Sequence, residues 1–495
     1  MGEKQYLYGA AVQGIQGFIF QTSKLKDIVG GSELVEHICT KFFEKHVPAF
    51  SRDKLLIGAA GNIKYVFESQ SECAQVVLRF PMEVMKIAPG ISISQAVVKI
   101  EGQLNMDHIN EVEDRLKVQR NKHCIPMDMG CLITERARNT GNPAVSFEHG
   151  ESVDAGTQKK RNAQQEFNGL ANKIVLEKGK RFPFDFEELV KSAEKSWMAI
   201  IHADGNGLGK VLQQVGNQLK DRNEMELIQT FQEFSKKLEE STINATKSAT
   251  SVFVDYAEKG KGKSEFYPFR PIILGGDDLT VVIRSEFALS FTQCFLEEFE
   301  KETAKNLTPL FNKYNIKIDC LTACAGIAFI KSSFPFHYGY DLAEQLCSIA
   351  KKESKKINNE KVPASLMFHK IQSSFIGTFD EIIKQELTCY DGLSYVAGPY
   401  FLKKYGITIK DLDDNAKELM KEGAPASQLR RWVTERYSND LKAKSLMART
   451  IQVLEMDNQR KRFISNLNLK PELFLDDKAA CPYYDYISMA SLLKN

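Results

Sequence analysis

Residues 270–284 read RPIILGGDDLTVVIR. Two apolar, β-branched runs flank a tight turn, so the stretch predicts a β-hairpin with adjacent carboxylates, Asp277 and Asp278, at its tip. Such carboxylates repel each other unless a cation lies between them, and Mg²⁺ prefers oxygen ligands while leaving positions open for phosphates. Gly275 and Gly276 lack a Cβ, which lets a triphosphate approach the backbone. The hairpin therefore predicts metal-assisted chemistry on nucleotides.

Asp204 supplies the other half of this predicted site. It follows the apolar stretch 197–203 at a strand-to-helix turn, and a metal held by a sheet of this kind needs carboxylates from two neighbouring strands. Asp204, Asp277 and Asp278 would then hold two Mg²⁺ ions at the spacing used for in-line phosphoryl transfer. One ion would activate an attacking hydroxyl, and the other would stabilise the leaving pyrophosphate.

The predicted phosphate contacts rest on weaker patterns. The turn 204–210 reads DGNGLGK and opens a helix whose first N–H groups favour phosphate, although such a sequence is often only a turn and acids in a hairpin are often solvated. Lys351 would reach a β- or γ-phosphate from a predicted helix, or else lie on a solvated helix face. We interpret His202 as a strand residue and Trp197 as a core residue. The predicted nucleotide-binding residues are Gly205, Asn206, Gly207, Gly275, Gly276 and Lys351.

Hydrophobic periodicity predicts one order of elements, β-α-β-β-α-β, twice along the chain. In the first copy the elements are a strand over 5–12, helices within 15–47 broken near Gly30 and Gly31, strands over 54–57 and 64–67, a helix over 70–86 and a strand over 91–100. In the second copy they are a strand over 197–203, helical segments up to 247, the hairpin, a helix over 286–313, a strand over 317–330, a helix over 340–356 and a strand over 364–368. A repeated order predicts two copies of one fold, and this order is typical of a ferredoxin-like sheet covered by helices, as in polymerase and nucleotide-cyclase palms.

We therefore predict an α+β protein with two ferredoxin-like palm domains, a linking region and a helical C-terminal domain. The predicted limits are 1–105 for a degenerate first palm, 106–195 for the mixed linking region, 196–380 for the catalytic second palm and 381–495 for the helical domain. Basic runs at 159–161 and 178–181 indicate that residues 150–181 are mobile or linking. The C-terminal helices lean basic through Arg430, Arg431, Arg436, Lys442, Lys444, Arg449, Arg460, Lys461 and Arg462.

The first copy lacks the acids of the second. Its predicted hairpin tip, residues 58–62, reads GAAGN. If Gly14 aligns with Gly205, then Gln13 replaces Asp204. A neutral copy cannot hold two divalent ions, but it would still bind a second nucleotide or serve as a packing partner.

Composition limits the class of protein. The chain has 495 residues, 43% of them hydrophobic, and its net charge of +2 gives no overall bias toward nucleic acid or membrane. The ten cysteines include no CxxC pair, and we interpret most of them, including Cys320 and Cys324 in a strand-like stretch, as buried reduced thiols rather than zinc ligands. The chain does not begin with a signal peptide and contains no long apolar run. We expect a soluble, cytoplasmic protein that makes no membrane contact.

Together these motifs resemble the double-palm large subunit of type III CRISPR effector complexes, whose second palm makes cyclic oligoadenylates. The resemblance covers most of residues 5–380. Its markers are Gly14-Ile15-Gln16-Gly17-Phe18-Ile19-Phe20, Asp204-Gly205-Asn206, Gly275-Gly276-Asp277-Asp278, the helix segment 343–351 and Ser365-Leu366-Met367-Phe368-His369. Diguanylate cyclases with a GGDEF motif are more distant, since Asp278 and Leu279 differ from that motif.

The resemblance implies a reaction and its cofactors. The 3′-hydroxyl of one ATP would attack the α-phosphate of another, pyrophosphate would leave, and a final intramolecular attack would close the ring. Asp204, Asp277 and Asp278 would be ligands to two Mg²⁺ or Mn²⁺ ions, and Lys351 would contact the triphosphate. The two palms of one chain would hold two ATP molecules, so a homodimer would not be required.

The sequence also departs from the family. No His-Asp pair of a nuclease domain precedes the first palm, so we expect no DNase activity. Asn206 stands where the family often has a second Asp. Only Cys124 and Cys131 remain of the family's zinc element. These departures indicate a compact relative with its own regulation.

Three functions fit these motifs to different degrees. The leading hypothesis is an ATP-using synthase of a cyclic oligonucleotide second messenger in antiviral defence. The alternative is a scaffold with silent palms, whose basic C-terminal helices would hold RNA or subunits of an effector complex; three convergent carboxylates argue against it. A template-copying polymerase ranks last, because no fingers or thumb insertion is evident.

Overall fold

The computed structural model describes residues 5–59, 61–122, 133–167, 169–174, 181–190, 196–220, 222–253, 265–373, 377–389, 392, 394–470 and 481–493. The strands are β1 (Gln5–Gln13), β2 (Leu55–Ala59), β3 (Asn62–Phe67), β4 (Ser92–Ile100), β5 (Ala144–Glu148), β6 (Glu151–Asp154), β7 (Trp197–Gly205), β8 (Phe269–Gly275), β9 (Asp278–Arg284), β10 (Ala323–Lys331), β11 (Ser365–Lys370) and β12 (Tyr400–Phe401). The helices are α1 (Ile15–Ile19), α2 (Leu25–His37), α3 (Phe43–His46), α4 (Gln70–Ile87), α5 (Met106–Arg120), α6 (Ala155–Glu166), α7 (Gly169–Lys173), α8 (Phe186–Val190), α9 (Leu208–Gln218), α10 (Glu224–Ala249), α11 (Ser285–Lys313), α12 (Phe336–Ile357), α13 (Phe379–Glu386), α14 (Ile409–Met420), α15 (Ala426–Ser438), α16 (Asp440–Glu455), α17 (Arg462–Asn466) and α18 (Tyr483–Leu493). A π-helical turn, Ile38–Phe42, and a 3-10 helix, Arg52–Lys54, complete the set.

Two sheets with the same internal order form the fold. The first has the order β2-β3-β1-β4, and the second has β8-β9-β7-β10 extended by β11 and β12. In both, the first strand of the unit lies between the hairpin and the fourth strand and is antiparallel to its neighbours. This is the order of a ferredoxin-like unit. The predicted α+β class, with two palms and a helical C-terminal part, is confirmed.

The second sheet is deeply buried. Residues 198–203 of β7 are all buried, because β9 and β10 flank this strand and the helices α11 and α12 both pack against β7 and β10. Strands covered in this way read as continuous apolar runs rather than alternating ones. The end of β7 is therefore held rigidly, and so is Asp204, which it carries.

The first sheet is packed in a similar way. α4 packs against β1 and β4, and α5 packs against the same two strands. The packing of the first palm thus continues beyond residue 105. The predicted domain limits stay a prediction.

The predicted helix break near Gly30 and Gly31 is wrong, because α2 runs through both residues. α6 crosses α2 so closely that a Cβ on Gly30 would lie 1.8 Å from the carbonyl oxygen of Lys160. The glycine lets two helix backbones meet. Local sequence cannot distinguish this use of glycine from a helix end, since the cause lies about 130 residues away along the printed sequence.

The prediction that residues 150–181 are mobile or linking is wrong for β6 and α6, which are well packed. Lys160 and Arg161 are only 2% and 6% exposed. The Arg161 guanidinium donates to Asp27 Oδ1 and to Glu148 Oε2, each at 3.0 Å, and it also pairs with Glu151. A basic run indicates solvent only when its charges lack partners, and these have them. Residues 178–180 lie outside the described part of the chain.

The strand predicted over 317–330 begins only at Ala323. Residues 317–322 form an extended loop instead. Thr303 on α11 holds this loop, because its hydroxyl oxygen accepts a hydrogen bond from the Leu321 N–H at 3.1 Å while its own hydrogen points to the Phe299 carbonyl at 2.7 Å. The alternating sequence is that of a strand, but the side chain of Thr303 takes a backbone N–H that a ladder would use.

The remaining described parts match simpler expectations. The described cysteines form no disulfide with one another, and most are buried; Cys124 and Cys131 lie outside the described residues. None of the helices in the described ranges combines the length and apolar character that a bilayer crossing needs. Trp197, predicted as core, is partly buried and packs against the core.

Candidate active site between two cavities

Three carboxylates from two neighbouring strands meet at one point. One oxygen of each of Asp204, Asp277 and Asp278 lies within 4.8 Å of the others. The sheet register explains this, because Ala203 pairs with Leu279 and the next residues of the two strands are therefore opposite each other. The structure thus brings together the three acids that the sequence places at this site.

The hairpin tip is shaped by two glycines. Gly275 pairs with Asp278, so the turn itself consists of Gly276 and Asp277. Gly276 has φ +61°, in the left-handed region that a two-residue turn requires. A Cβ on Gly205 would lie 2.7 Å from Asp277 Oδ2. Gly205 therefore makes room for the Asp277 carboxylate beside β7.

The trio is electrostatically frustrated. Burial, together with the charge of Asp204, raises the pKa of the Asp277 carboxyl to about 6. Burial also raises the pKa of Asp278 well above its usual range, and the charges of Asp277 and Asp204 add to this. Removal from water and like charge both disfavour the ionised state. A bound cation would relieve both effects.

Lys351 on α12 reaches the trio. Its ammonium pairs with the Asp204 carboxylate and donates to the Gly205 carbonyl at 2.8 Å. The side chain is 16% exposed. Of the two alternatives that the sequence leaves open, the solvated helix face does not describe this lysine.

A cavity of about 860 Å³ opens on one side of the trio. Asp204 and Asp277 line it, together with the turn 205–210 and the loop 317–322. Its cationic side chains are Lys210, Lys317, Lys351, Lys355 and Lys361. Four carboxylates also line it, Asp204, Asp277, Asp319 and Glu360, and Lys351 and Lys361 pair with Asp204 and Asp319. The remaining lysines, Lys210, Lys317 and Lys355, provide positive charge for phosphates that approach a metal site.

A second cavity, of about 420 Å³, opens on the other side and lies between the palms. From the second palm it is lined by Asp278, Gly275, His202 and Tyr340, and from the first palm by residues 12–17, Gly61 and Asn62. Gln16 of the first palm donates to Tyr340 Oη at 3.0 Å and to Glu344 Oε1 at 2.8 Å. The trio therefore lies between two cavities, and the first palm forms a wall of one of them.

The other predicted residues have structural partners. Asn206 donates from its amide to Thr322 Oγ1 at 3.0 Å and from its backbone to the Thr322 carbonyl at 2.8 Å, which ties the turn to the start of β10. Gly207, at φ +72°, is the N-cap of α9. His202 lies in β7 as predicted, with Nδ1 3.0 Å from Thr280 Oγ1, and burial lowers its pKa.

The predicted alignment of Gly14 with Gly205 is wrong. Gly14 at φ +62° is the N-cap of α1, which makes it the counterpart of Gly207, the left-handed N-cap of α9. Counting back three residues from each cap makes Ala11 in the first palm the counterpart of Asp204 in the second. Sequence spacing offers no way to choose between the two glycines of the DGNG turn, because only the backbone conformation distinguishes them.

The hairpin register supports this alignment. Ala11 pairs with Asn62, the first residue of β3, as the end of β7 faces the first residue of β9. Asn62 and Gly61 therefore stand in place of Asp278 and Asp277. Gln13 lines the cavity between the palms instead of replacing an acid.

Sequence reasoning misses most of the lysine-lined cavity. The local pattern assigns its loop to a strand and does not single out Lys210, Lys355 or Lys361. One signal is present, because Lys351 and Lys355 are four residues apart on α12 and so share a helix face. The contributions of the loop depend on tertiary contacts that no local pattern shows.

The basic character of the C-terminal helices is partly neutralised. Arg436 and Lys444 pair with Asp440, and Arg431 and Lys442 pair with Glu435. Arg436 is itself buried, and the pairs at the surface reduce the positive field that RNA would meet. The predicted RNA or subunit surface on these helices stays a prediction.

Comparison with known proteins agrees with this geometry. Residues 197–359 match the family model described as Cas10/Cmr2, second palm domain. Among solved structures, a chain of the Csm1-Csm4 cassette in complex with pppApApA has a TM-score of 0.57 at 12% identity, and one of the cassette in complex with cA4 has 0.55 at 13%. A chain of the Csm1-Csm4 subcomplex of the type III-A CRISPR-Csm interference complex has 0.56 at 13%. Each match covers 100% of this chain and 70% of the other. No curated protein sequence matches.

Proposed function

We propose that this chain, a double-palm protein with a second palm of the Cas10/Cmr2 type, is a nucleotidyltransferase that joins ATP molecules into a cyclic oligonucleotide for antiviral defence. The observation that carries the proposal is the carboxylate trio, Asp204, Asp277 and Asp278, lying between two cavities. A transferase that joins two nucleotides needs a place for each of them on either side of the reacting phosphate. The structures with bound pppApApA and cA4 are of relatives that share the fold.

The residues present fit a divalent metal. Oxygen ligands from three carboxylates suit Mg²⁺ or Mn²⁺, and burial, followed by the negative charge of the neighbouring acids, raises the pKa values of Asp277 and Asp278. We propose that the trio binds two ions with ATP as substrate. When bound, such ions would acidify the attacking 3′-hydroxyl and neutralise charge on the departing pyrophosphate.

The protein's own groups would position the two nucleotides. The lysine-lined cavity would hold the triphosphate of one ATP, with Lys351 moving from Asp204 toward the phosphates. The other nucleotide would lie in the cavity between the palms and present its 3′-hydroxyl past Asp278. Gln16 would keep the first palm against the second, which fixes the distance between the two substrates.

We also propose that the protein works within an effector complex. The solved structures reported above are of Csm1-Csm4 assemblies, one of them from a type III-A interference complex. A partner subunit or RNA held by the C-terminal helices would then control the palms.

The test is synthesis from nucleotides. Purified protein is incubated with each NTP and Mg²⁺ or Mn²⁺, with and without RNA and partner subunits, and products are read by mass spectrometry. We expect a cyclic oligonucleotide from ATP and none from the Asp277→Asn/Asp278→Asn variant, since a divalent ion would lose two ligands. The matched control is Asp107→Asn/Asp114→Asn, which removes two acids from α5 and should leave synthesis unchanged. Undiminished product from the first variant would rule the proposal out.

A further inference from the structure

Helix α10 passes close to the hairpin tip and contacts it through a threonine. Thr242 is fully buried. Its hydroxyl donates to the carbonyl oxygen of Gly276 at 2.6 Å. Nothing in the sequence singles out Thr242, because it lies in an ordinary helical stretch, far along the chain from both Asp204 and the hairpin tip.

This bond departs from the usual behaviour of a buried threonine in a helix. Such a hydroxyl normally donates to the carbonyl four residues earlier, as Thr246 does to Thr242 at 2.8 Å. Thr242 has that option too, since the Leu238 carbonyl is 3.1 Å away. The hydroxyl has one hydrogen, and the shorter distance is to Gly276. The hydrogen therefore bonds the hairpin rather than the helix.

The carbonyl that Thr242 holds belongs to the peptide between Gly276 and Asp277. Gly276 has no side chain and many accessible conformations, so the turn itself does not fix the plane of this peptide. A hydrogen bond from a rigid helix fixes the plane of this peptide. On the other side, Gly205 lies against the Asp277 side chain. Asp277 is thus held between β7 and α10.

We propose that Thr242 is a positioning residue for the metal site: it orients the Gly276–Asp277 peptide and thereby aims the Asp277 carboxylate at Asp204 and Asp278. This inference rests on the proposed function, because it assumes that the trio binds a divalent ion. A metal site tolerates displacements of only a few tenths of an ångström in its ligands. Loss of the bond should therefore weaken metal binding before it affects the fold.

Three variants separate positioning from general stability. Thr242→Val replaces the hydroxyl by a methyl group that cannot approach an oxygen to 2.6 Å, so the tip must shift. Thr242→Ser keeps the hydroxyl. Thr246→Val is the matched control, because it removes a buried threonine hydroxyl from the same helix one turn away, where the bond is to the helix only.

The first readout is Mn²⁺ affinity of the full chain without nucleotide, measured by titration calorimetry. Since a hydrogen bond contributes about a factor of 2 to 10 in an equilibrium constant, we expect Thr242→Val to raise the Mn²⁺ dissociation constant roughly 3- to 10-fold. Thr242→Ser should stay within about twofold of the wild type. Melting temperature serves as the second readout, and Thr242→Val and Thr246→Val should lower it by similar amounts.

Every outcome bears on the proposal. Weaker Mn²⁺ binding in Thr242→Val, rescue by serine and normal binding in Thr246→Val would support it. Equal Mn²⁺ affinity in Thr242→Val and the wild type, or equal losses in both valine variants, would overturn it while leaving the proposed function standing. A wild-type protein that neither binds Mn²⁺ nor converts ATP would overturn the proposed function and this inference together.

Discussion

The two palms share a backbone but differ at the three positions where chemistry would take place. Each has a hairpin beside the end of its first strand and a left-handed glycine before the next helix. The second palm carries Asp204, Asp277 and Asp278 there. The first carries Ala11, Gly61 and Asn62 at the corresponding places. The difference shows that the fold provides the frame and that the acids alone distinguish the copy with the proposed metal site.

The two palms also differ in side-chain space at this point. In the second palm the strand has Gly205, and a Cβ there would lie 2.7 Å from Asp277 Oδ2 at the tip. In the first palm the strand has Val12 and the tip has Gly61, where a Cβ would lie 2.4 Å from Ile15 Cδ1 and at an ordinary contact distance of 3.7 Å from the Val12 Cβ. In each palm one of the two facing residues is glycine. The Asp277 carboxylate therefore fits at the tip only because residue 205 of the strand is a glycine.

The largest expected effect comes from making the second palm resemble the first. Asp278→Asn should lower product synthesis by roughly 10³-fold or more, because a desolvated charge at the reacting centre is lost. The same change should stabilise the metal-free protein at neutral pH by about 1 kcal/mol, since it removes a charge that burial and its neighbours disfavour. Synthesis is measured by mass spectrometry and stability by denaturant unfolding without metal.

The sign of this stability change follows from the raised pKa of Asp278. A carboxyl whose pKa rises on folding destabilises the folded state once the pH exceeds its unfolded value. The wild type should therefore gain more stability from added Mg²⁺ than the variant does. A variant that is less stable than the wild type without metal would contradict the frustrated-trio description.

A smaller effect is expected when only the space at the strand is changed. Gly205→Ala places a Cβ 2.7 Å from Asp277 Oδ2, so the tip must move, which should destabilise the protein by about 1–3 kcal/mol. Synthesis should fall roughly 100-fold. The double variant Gly205→Ala/Asp277→Gly copies the pairing of the first palm, so it should recover stability without recovering synthesis. Equal unfolding midpoints for the single and double variants would refute the compensation between strand and tip.

The smallest expected effect comes from Lys160, a buried lysine of α6 that packs against α1 of the first palm. Lys160 packs over the Phe18 ring and donates to the Phe18 carbonyl in α1, and burial lowers its pKa to about 8. Between this value and the unfolded value of about 10.5 the unfolded chain binds more protons, so Lys160 makes stability rise with pH in this window. Lys160→Met should remove that rise, which amounts to no more than about 3 kcal/mol.

The contribution of Lys160 to the pH dependence of stability is measured as the difference in unfolding free energy between the wild type and Lys160→Met from about pH 8 upward. Other lysines and tyrosines titrate equally in both proteins and cancel. The exposed Lys159→Met change in the same helix is the control and should give no such difference. A constant difference between the wild type and Lys160→Met across the window would show that Lys160 titrates as it does in the unfolded chain.

The parts of the molecule that the sequence predicts well are those in which local pattern and tertiary environment agree. The 270–284 hairpin has β-branched runs and a glycine turn, and the apolar run before Asp204 is a strand buried among others. The antiparallel pairing of β7 with β9 then places Asp204 opposite Asp278, beside the turn that carries Asp277. Fold class and the meeting of the three acids follow from this.

The parts that it predicts poorly depend on distant partners. Gly30 serves a helix that follows much later, Arg161 is neutralised by Asp27, and the loop 317–322 is held by Thr303. Each of these residues has a common local interpretation that tertiary contacts override. The bond from Thr242 to Gly276 belongs to the same class, since nothing in the helix itself indicates it.

The placement of the trio between two cavities has a consequence for how pyrophosphate and the oligomer would leave the proposed enzyme. Pyrophosphate released beside the lysines would escape through the cavity of about 860 Å³, while the growing oligomer would remain on the opposite side, against the first palm. By-product and attacking 3′-hydroxyl end would then lie on opposite sides of the trio at each addition. Successive additions would proceed without letting the unfinished chain go, so short linear fragments should be scarce at early times.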